Sequence, residues 1–139
     1  MSPALVPLLL TIAGGAVYHL SQKAVGGARP WSVLAVAYGV AFAASSLLWW
    51  LMPGRGQAIR PAELGLAALI GLAALAIEAG FFLSYRSGWP VGTTALLSNV
   101  AVTVVLAAVG VAAYGEALSP TRAVGALLAV LGAWLLARG

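Results

Sequence analysis

Of 139 residues, 63% are hydrophobic and only 7% charged, with a formal net charge of +4 and no cysteine. A water-soluble domain carries about 25% charged residues, so this chain has too few to cover a water-facing surface, and a mean hydropathy of +1.04 makes the bilayer its solvent. Disulfide and thiolate chemistry is excluded. One His and three acids leave almost no raw material for a metal cage or a hydrolase triad, so no cofactor, no metal and no enzymatic activity are expected.

A bilayer core of about 30 Å needs about 20 apolar residues per helix. The first span is expected over about 3–25, interrupted by Thr11 and by the polar cluster Tyr18 to Lys23, and ended by the turn Gly26 to Pro30. No basic segment precedes it and no Ala-x-Ala-like site follows, so it reads as a retained span and not a signal peptide. The second is expected over 31–52, closing on the interfacial pair Trp49 and Trp50. The longest polar loop, Pro53 to Pro61, leads into the third span, about 62–87. The fourth covers about 91–114. The fifth covers about 121–137, with Ser119 as N-cap and Pro120 at the first helical position. This predicts an all-α integral membrane fold of five transmembrane helices forming a single domain over 1–139.

Five spans put the termini on opposite sides. The N-terminal side holds Arg55, Arg60 and Arg122; the other holds Lys23, Arg29, Arg86 and Arg138. Three against four gives almost no bias by the positive-inside rule. Two readings stay open: one weak preference or a partner sets the orientation, or the chain inserts both ways and pairs with itself antiparallel. The cations are scattered, which fits interfacial anchoring and gives no nucleic-acid patch.

The segment from Gly115-Glu116 through Ser119 and Gly125 to Gly132 resembles the end of an EamA-type repeat of the drug/metabolite transporter superfamily. That pattern is Gly-Glu closing the fourth helix, a short turn, then two glycines seven apart in the fifth. The link Phe82 to Ser98 and the first-helix end Tyr18 to Lys23 resemble the same repeat. The resemblance implies one five-helix unit, an inverted repeat in larger members, in a multi-pass protein of the bacterial cytoplasmic (inner) membrane. It further implies a small-molecule transporter working as an antiparallel dimer, with a homodimer or a related short chain as partner. The last three helices are also similar to small multidrug resistance proteins. Those keep their coupling Glu in the first helix, where this chain has none, so their site does not transfer.

At 1.5 Å per residue, His19, Tyr38, Glu78, Ser98 and Asn99 lie at comparable depths, roughly 9–14 Å from the face where the first and third spans exit. Gly15, Tyr18 and Gln22 share a helix face, with His19 and Lys23 stacked beside them. An ionisable residue inside a span is expected to face a bundle interior or wet cavity and to have a partner. For Glu78 the candidates are His19 and Lys23, with Asn99, Ser98 and Tyr38 as hydrogen-bond donors. Glu78, His19, Asn99, Ser98, Tyr18, Tyr38, Gln22 and Lys23 therefore form the expected substrate- or proton-binding layer. Against this, such residues also serve as plain interhelical hydrogen bonds, worth about 0.6 kcal/mol on average, and Ser or Thr hydroxyls bond their own helix carbonyls.

Glu116, just before a helix N-terminus, reads as structural, facing that positive dipole end or pairing with Arg122. Gly125, Ala129, Gly132 and Ala133 make a small-residue stripe. The resemblance implies a dimer interface there; close packing within one subunit is the alternative. The leading functional expectation is alternating-access transport, possible proton coupling running through Glu78. The alternative is a non-transporting membrane subunit, an obligate partner in a heteromeric complex.

Overall fold

A computed structural model of the chain describes residues 5–52, 54 and 59–139. Pro3, where the first span was expected to start, and Arg55, in the longest loop, lie outside them. The order is α1 (Leu5–Val25), α2 (Pro30–Leu51), α3 (Pro61–Arg86), α4 (Val91–Tyr114) and α5 (Pro120–Arg138). All five are long and apolar enough to cross a membrane. No strand occurs among the described residues, and each boundary given falls within about two residues of the position expected from hydropathy.

Local chemistry explains the ends. Arg29 and Ser119 each precede a proline, and both are extended, at ψ 125° and 151°. Proline disfavours the helical region for the residue before it and suits the first helical position itself, so α2 and α5 start where they do. Ser119 Oγ accepts the Arg122 amide at 3.3 Å, capping α5. The start of α3 uses a device the sequence reading did not single out. Glu63 Oε2 accepts the Arg60 amide at 3.0 Å, as the third-position acid of a capping box does. Its other oxygen accepts from the Arg60 guanidinium, forming an ion pair. The left-handed conformation at Gly26, φ +60°, and Gly115, φ +64°, ends α1 and α4 without the penalty a side chain would carry.

The chain divides into two compact units. One is Gln22–Arg86, the end of α1 with α2 and α3. Its inward positions on α3 are Glu78, Phe82 and Tyr85, at i, i+4 and i+7. Phe82 is 1% exposed and Tyr85 4%. Leu34 on α2 is equally buried, with Tyr38 one turn further on half-buried. The other unit is Met1–Ser21 with Ser87–Gly139, in which α4 and α5 pack closely together. There Thr94, Gly110 and Ala133 are the buried positions. Most other large apolar side chains face outward, including Trp49 and Trp50 at the end of α2. That is normal for a chain whose solvent is lipid, because tails are as apolar as leucine and give no hydrophobic drive to cover them. Arg138 stacks over the Trp134 ring, 3.8 Å from its centroid, at the end of α5. A cation held on an indole suits the bilayer boundary.

Candidate functional site

The Gln22–Arg86 unit holds four of the eight expected site residues: Gln22, Lys23, Tyr38 and Glu78. Glu78 sits mid-helix on the inward face of α3, half-buried. The Tyr38 hydroxyl on α2 is the side-chain group that interacts with its carboxylate. The two do not close to a formed hydrogen bond, and the hydroxyl is buried without a hydrogen-bond partner among the described residues. Equal depth on adjacent helices is thus matched by real proximity between α2 and α3.

The ends of α1 and α3 are tied by polar side chains. Gln22, 8% exposed, donates from Nε2 to the Glu78 backbone carbonyl at 3.4 Å. Lys23 Nζ donates to the Tyr85 carbonyl at 3.4 Å. Lys23 was a candidate counter-ion for Glu78, but among the described residues it makes no ion pair with it; the only such pair is Arg60–Glu63. The long lysine stem carries its charge toward the last carbonyls of α3, where the helix dipole is negative and water is near. Glu78 is therefore a carboxylate facing a phenol, not half of a fixed salt bridge. A carboxyl beside a hydroxyl can take up or release a proton, or accept from a ligand's ammonium, without first breaking an ion pair.

The other four residues belong to the second unit. Tyr18 and His19 are both half-buried, their rings edge to face at 5.0 Å. Along α1 the less exposed positions are Gly15, Tyr18, His19 and Gln22, one continuous face. Ser98 is half-buried. Asn99 is exposed and lines a cleft of about 120 Å³ between α4 and α5, with Thr103, Ala126 and Ala129. The threonines bond their own helix: Thr94 Oγ1 donates to the Pro90 carbonyl at 2.9 Å and Thr103 Oγ1 to that of Asn99 at 2.7 Å.

Two readings of the α4–α5 end are altered. Glu116 was expected to pair with Arg122 or face the α5 N-terminus. Instead its amide donates to the Gly110 carbonyl at 3.0 Å, and its carboxylate folds over Gly110. A Cβ there would stand 2.8 Å from Glu116 Oε2, so a larger residue at 110 would make the glutamate side chain swing aside. Glu116 and Arg122 share a wider cleft of about 380 Å³ without forming an ion pair. The stripe on α5 looks inward at several points. Ala133 is 4% exposed, Gly132 is half-buried, and Gly125 and Ala129 line clefts shared with α4. Packing within one chain thus already uses part of it.

Five helices long and apolar enough to cross a membrane define an integral, multi-pass, all-α membrane protein. The chain belongs to the EamA-like transporter family, whose model matches residues 1–138. Membership makes it a membrane transporter of small molecules, built on one five-helix repeat. No curated protein and no solved structure matches it.

Proposed function

We propose that the chain is a secondary transporter working as an antiparallel, dual-topology dimer in the cytoplasmic membrane, with alternating access coupled to protons through Glu78. The observation that supports this reading is Glu78, half-buried mid-helix on the inward face of α3 and facing Tyr38 of α2 without an ion pair, while Lys23 is engaged elsewhere. An ionisable group held inside a span without a counter-ion is a functional group by default. Proton binding neutralises Glu78 and lets the site cross the bilayer uncharged; deprotonation opens it to a cationic substrate group. A second copy in the opposite orientation supplies the matching half-layer, in the way inverted repeats build one central site. The near-even cation count across the two sides is compatible with insertion both ways.

Glu78→Gln keeps the shape and removes the titration. It should abolish gradient-driven uptake in proteoliposomes while leaving assembly intact, and full uptake by this variant would refute the coupling role. A C-terminal reporter should be found on both sides of the membrane. A reporter confined to one side would remove dual topology while leaving the Glu78 prediction standing.

A further inference from the structure

The end of the Gln22–Arg86 unit holds a cleft that proton coupling through Glu78 does not use, although Gln22 and Lys23 were also expected in the binding layer. It has a volume of about 290 Å³ and is lined by Gln22, Lys23, Gly26, Tyr85 and Arg86. That is roughly ten times the liquid volume of one water. Two walls are cations and none is an acid. Glu78 is the nearest acid along α3, eight residues or roughly 12 Å before Arg86. Neither Lys23 nor Arg86 forms an ion pair among the described residues.

Cations in the last turns of α1 and α3 have an ordinary explanation, since each helix C-terminus carries about half a negative charge. The count does not balance, however. Two helix ends supply about one negative charge and two side chains supply two positive ones, leaving about one uncompensated positive charge over the cleft. Both side chains are exposed, yet each also reaches the backbone of another segment. Lys23 Nζ is held on the Tyr85 carbonyl at 3.4 Å and an Arg86 guanidinium nitrogen on the Ala28 carbonyl at 3.3 Å, in the α1–α2 turn. Each bond crosses between segments and fixes its charge at the cleft. Lysine keeps two more donors and arginine four. Gly26 contributes no side chain, and Gln22 and Tyr85, both more than nine-tenths buried, form rigid walls.

We propose that this cleft binds the monoanionic phosphate of an anionic membrane phospholipid, gripped between Lys23 and Arg86. A single negative charge matches the net charge of the site. Helix ends lie at the level of the headgroups, and basic pockets between transmembrane helices are an established way to hold anionic lipid. The proposal does not depend on Glu78 or on transport.

The test uses the purified full chain in detergent micelles, with thermal unfolding followed during titration of phosphatidylglycerol, phosphatidylcholine or inorganic phosphate. Phosphatidylglycerol should raise the unfolding temperature of the wild type at concentrations where phosphatidylcholine does not. Lys23→Gln and Arg86→Gln should each weaken its binding about tenfold, the scale of one charge-assisted hydrogen bond. Lys23→Arg should retain it. Arg138→Gln removes the same charge from another helix end and should leave binding unchanged. Equal loss with Arg138→Gln, or equal binding by the Lys23→Gln/Arg86→Gln double variant, would overturn the site. Protection by inorganic phosphate at the same concentration would overturn the lipid as the source of the group. Should the double variant not fold, native mass spectrometry of the wild type decides. Retention of phosphatidylglycerol no stronger than that of phosphatidylcholine overturns the proposal.

Discussion

The two units are held together by different means. In the Gln22–Arg86 unit, side chains cross between segments: Gln22 to the Glu78 carbonyl, Lys23 to that of Tyr85, Arg86 to that of Ala28, and Tyr38 toward Glu78. In the α4–α5 pair the hydroxyls turn back on their own helix, and association rests on small residues, with Ala126 and Ala129 along the shared clefts and Ala133 buried. Lipid provides no hydrophobic drive for either, so each uses one of the two remaining devices, polar bridging or close backbone approach. The polar-bridged unit also carries Glu78, the carboxylate on which the proposed proton coupling rests, while Tyr18, His19, Ser98 and Asn99 of the expected layer belong to the other unit.

The largest effects should separate the two kinds of packing. Phe82 fills the polar-bridged unit, being 1% exposed. In a membrane the transfer term largely drops out of Phe82→Ala. What remains is the cavity, at roughly 24 cal/mol per Å³ over about 100 Å³, or about 2 kcal/mol. In the small-residue pair the sensitive change runs the other way. Ala133→Leu overfills a closed contact and should cost about 1 kcal/mol or more. Unfolding of both variants in mixed micelles measures this. Loss of dimer in Ala133→Leu with no change in the stability of the chain itself would move the stripe from intrachain packing to the subunit interface.

Hydropathy alone located the helices, because Gly, Pro and Arg punctuate runs long enough to span. The Ser119–Pro120 start of α5 was equally legible, since both residues act on their immediate neighbours. Depth counting named Tyr38 as one of five candidate partners for Glu78, since rise per residue is a fair ruler on adjacent helices. It could not choose between Lys23, His19 and the hydrogen-bond donors as the partner of Glu78, because the ruler places Cα atoms and a lysine stem carries its charge about a turn further. Glu116, read from its place before the α5 N-terminus, instead lies over Gly110, because the left-handed turn at Gly115 folds the chain back on the end of α4. Arg86, treated as an anchor, and the buried Tyr85 were missed as parts of a cleft. The chain pattern shows a cation at a helix end but not the carbonyl of another segment that holds it in place.

The finest contrast compares one polar side chain from each unit. Gln22 bridges α1 to the Glu78 carbonyl, so Gln22→Leu removes an interhelical bond. Such bonds average about 0.6 kcal/mol and rarely exceed about 2, and the 3.4 Å length argues for the lower part of that range. Thr94 is slightly more buried, 6% exposed against 8%, yet its hydroxyl returns to Pro90 four residues earlier. Thr94→Val replaces that hydroxyl with a methyl of similar size. The Pro90 carbonyl keeps the Thr94 amide at 3.0 Å, so the cost should fall within about 0.3 kcal/mol of zero, below the interhelical average. Burial alone predicts the opposite order. Equal losses for the two variants, measured by the same unfolding assay, would mean that the direction in which a polar group bonds does not govern its contribution, and the distinction between the units would reduce to packing.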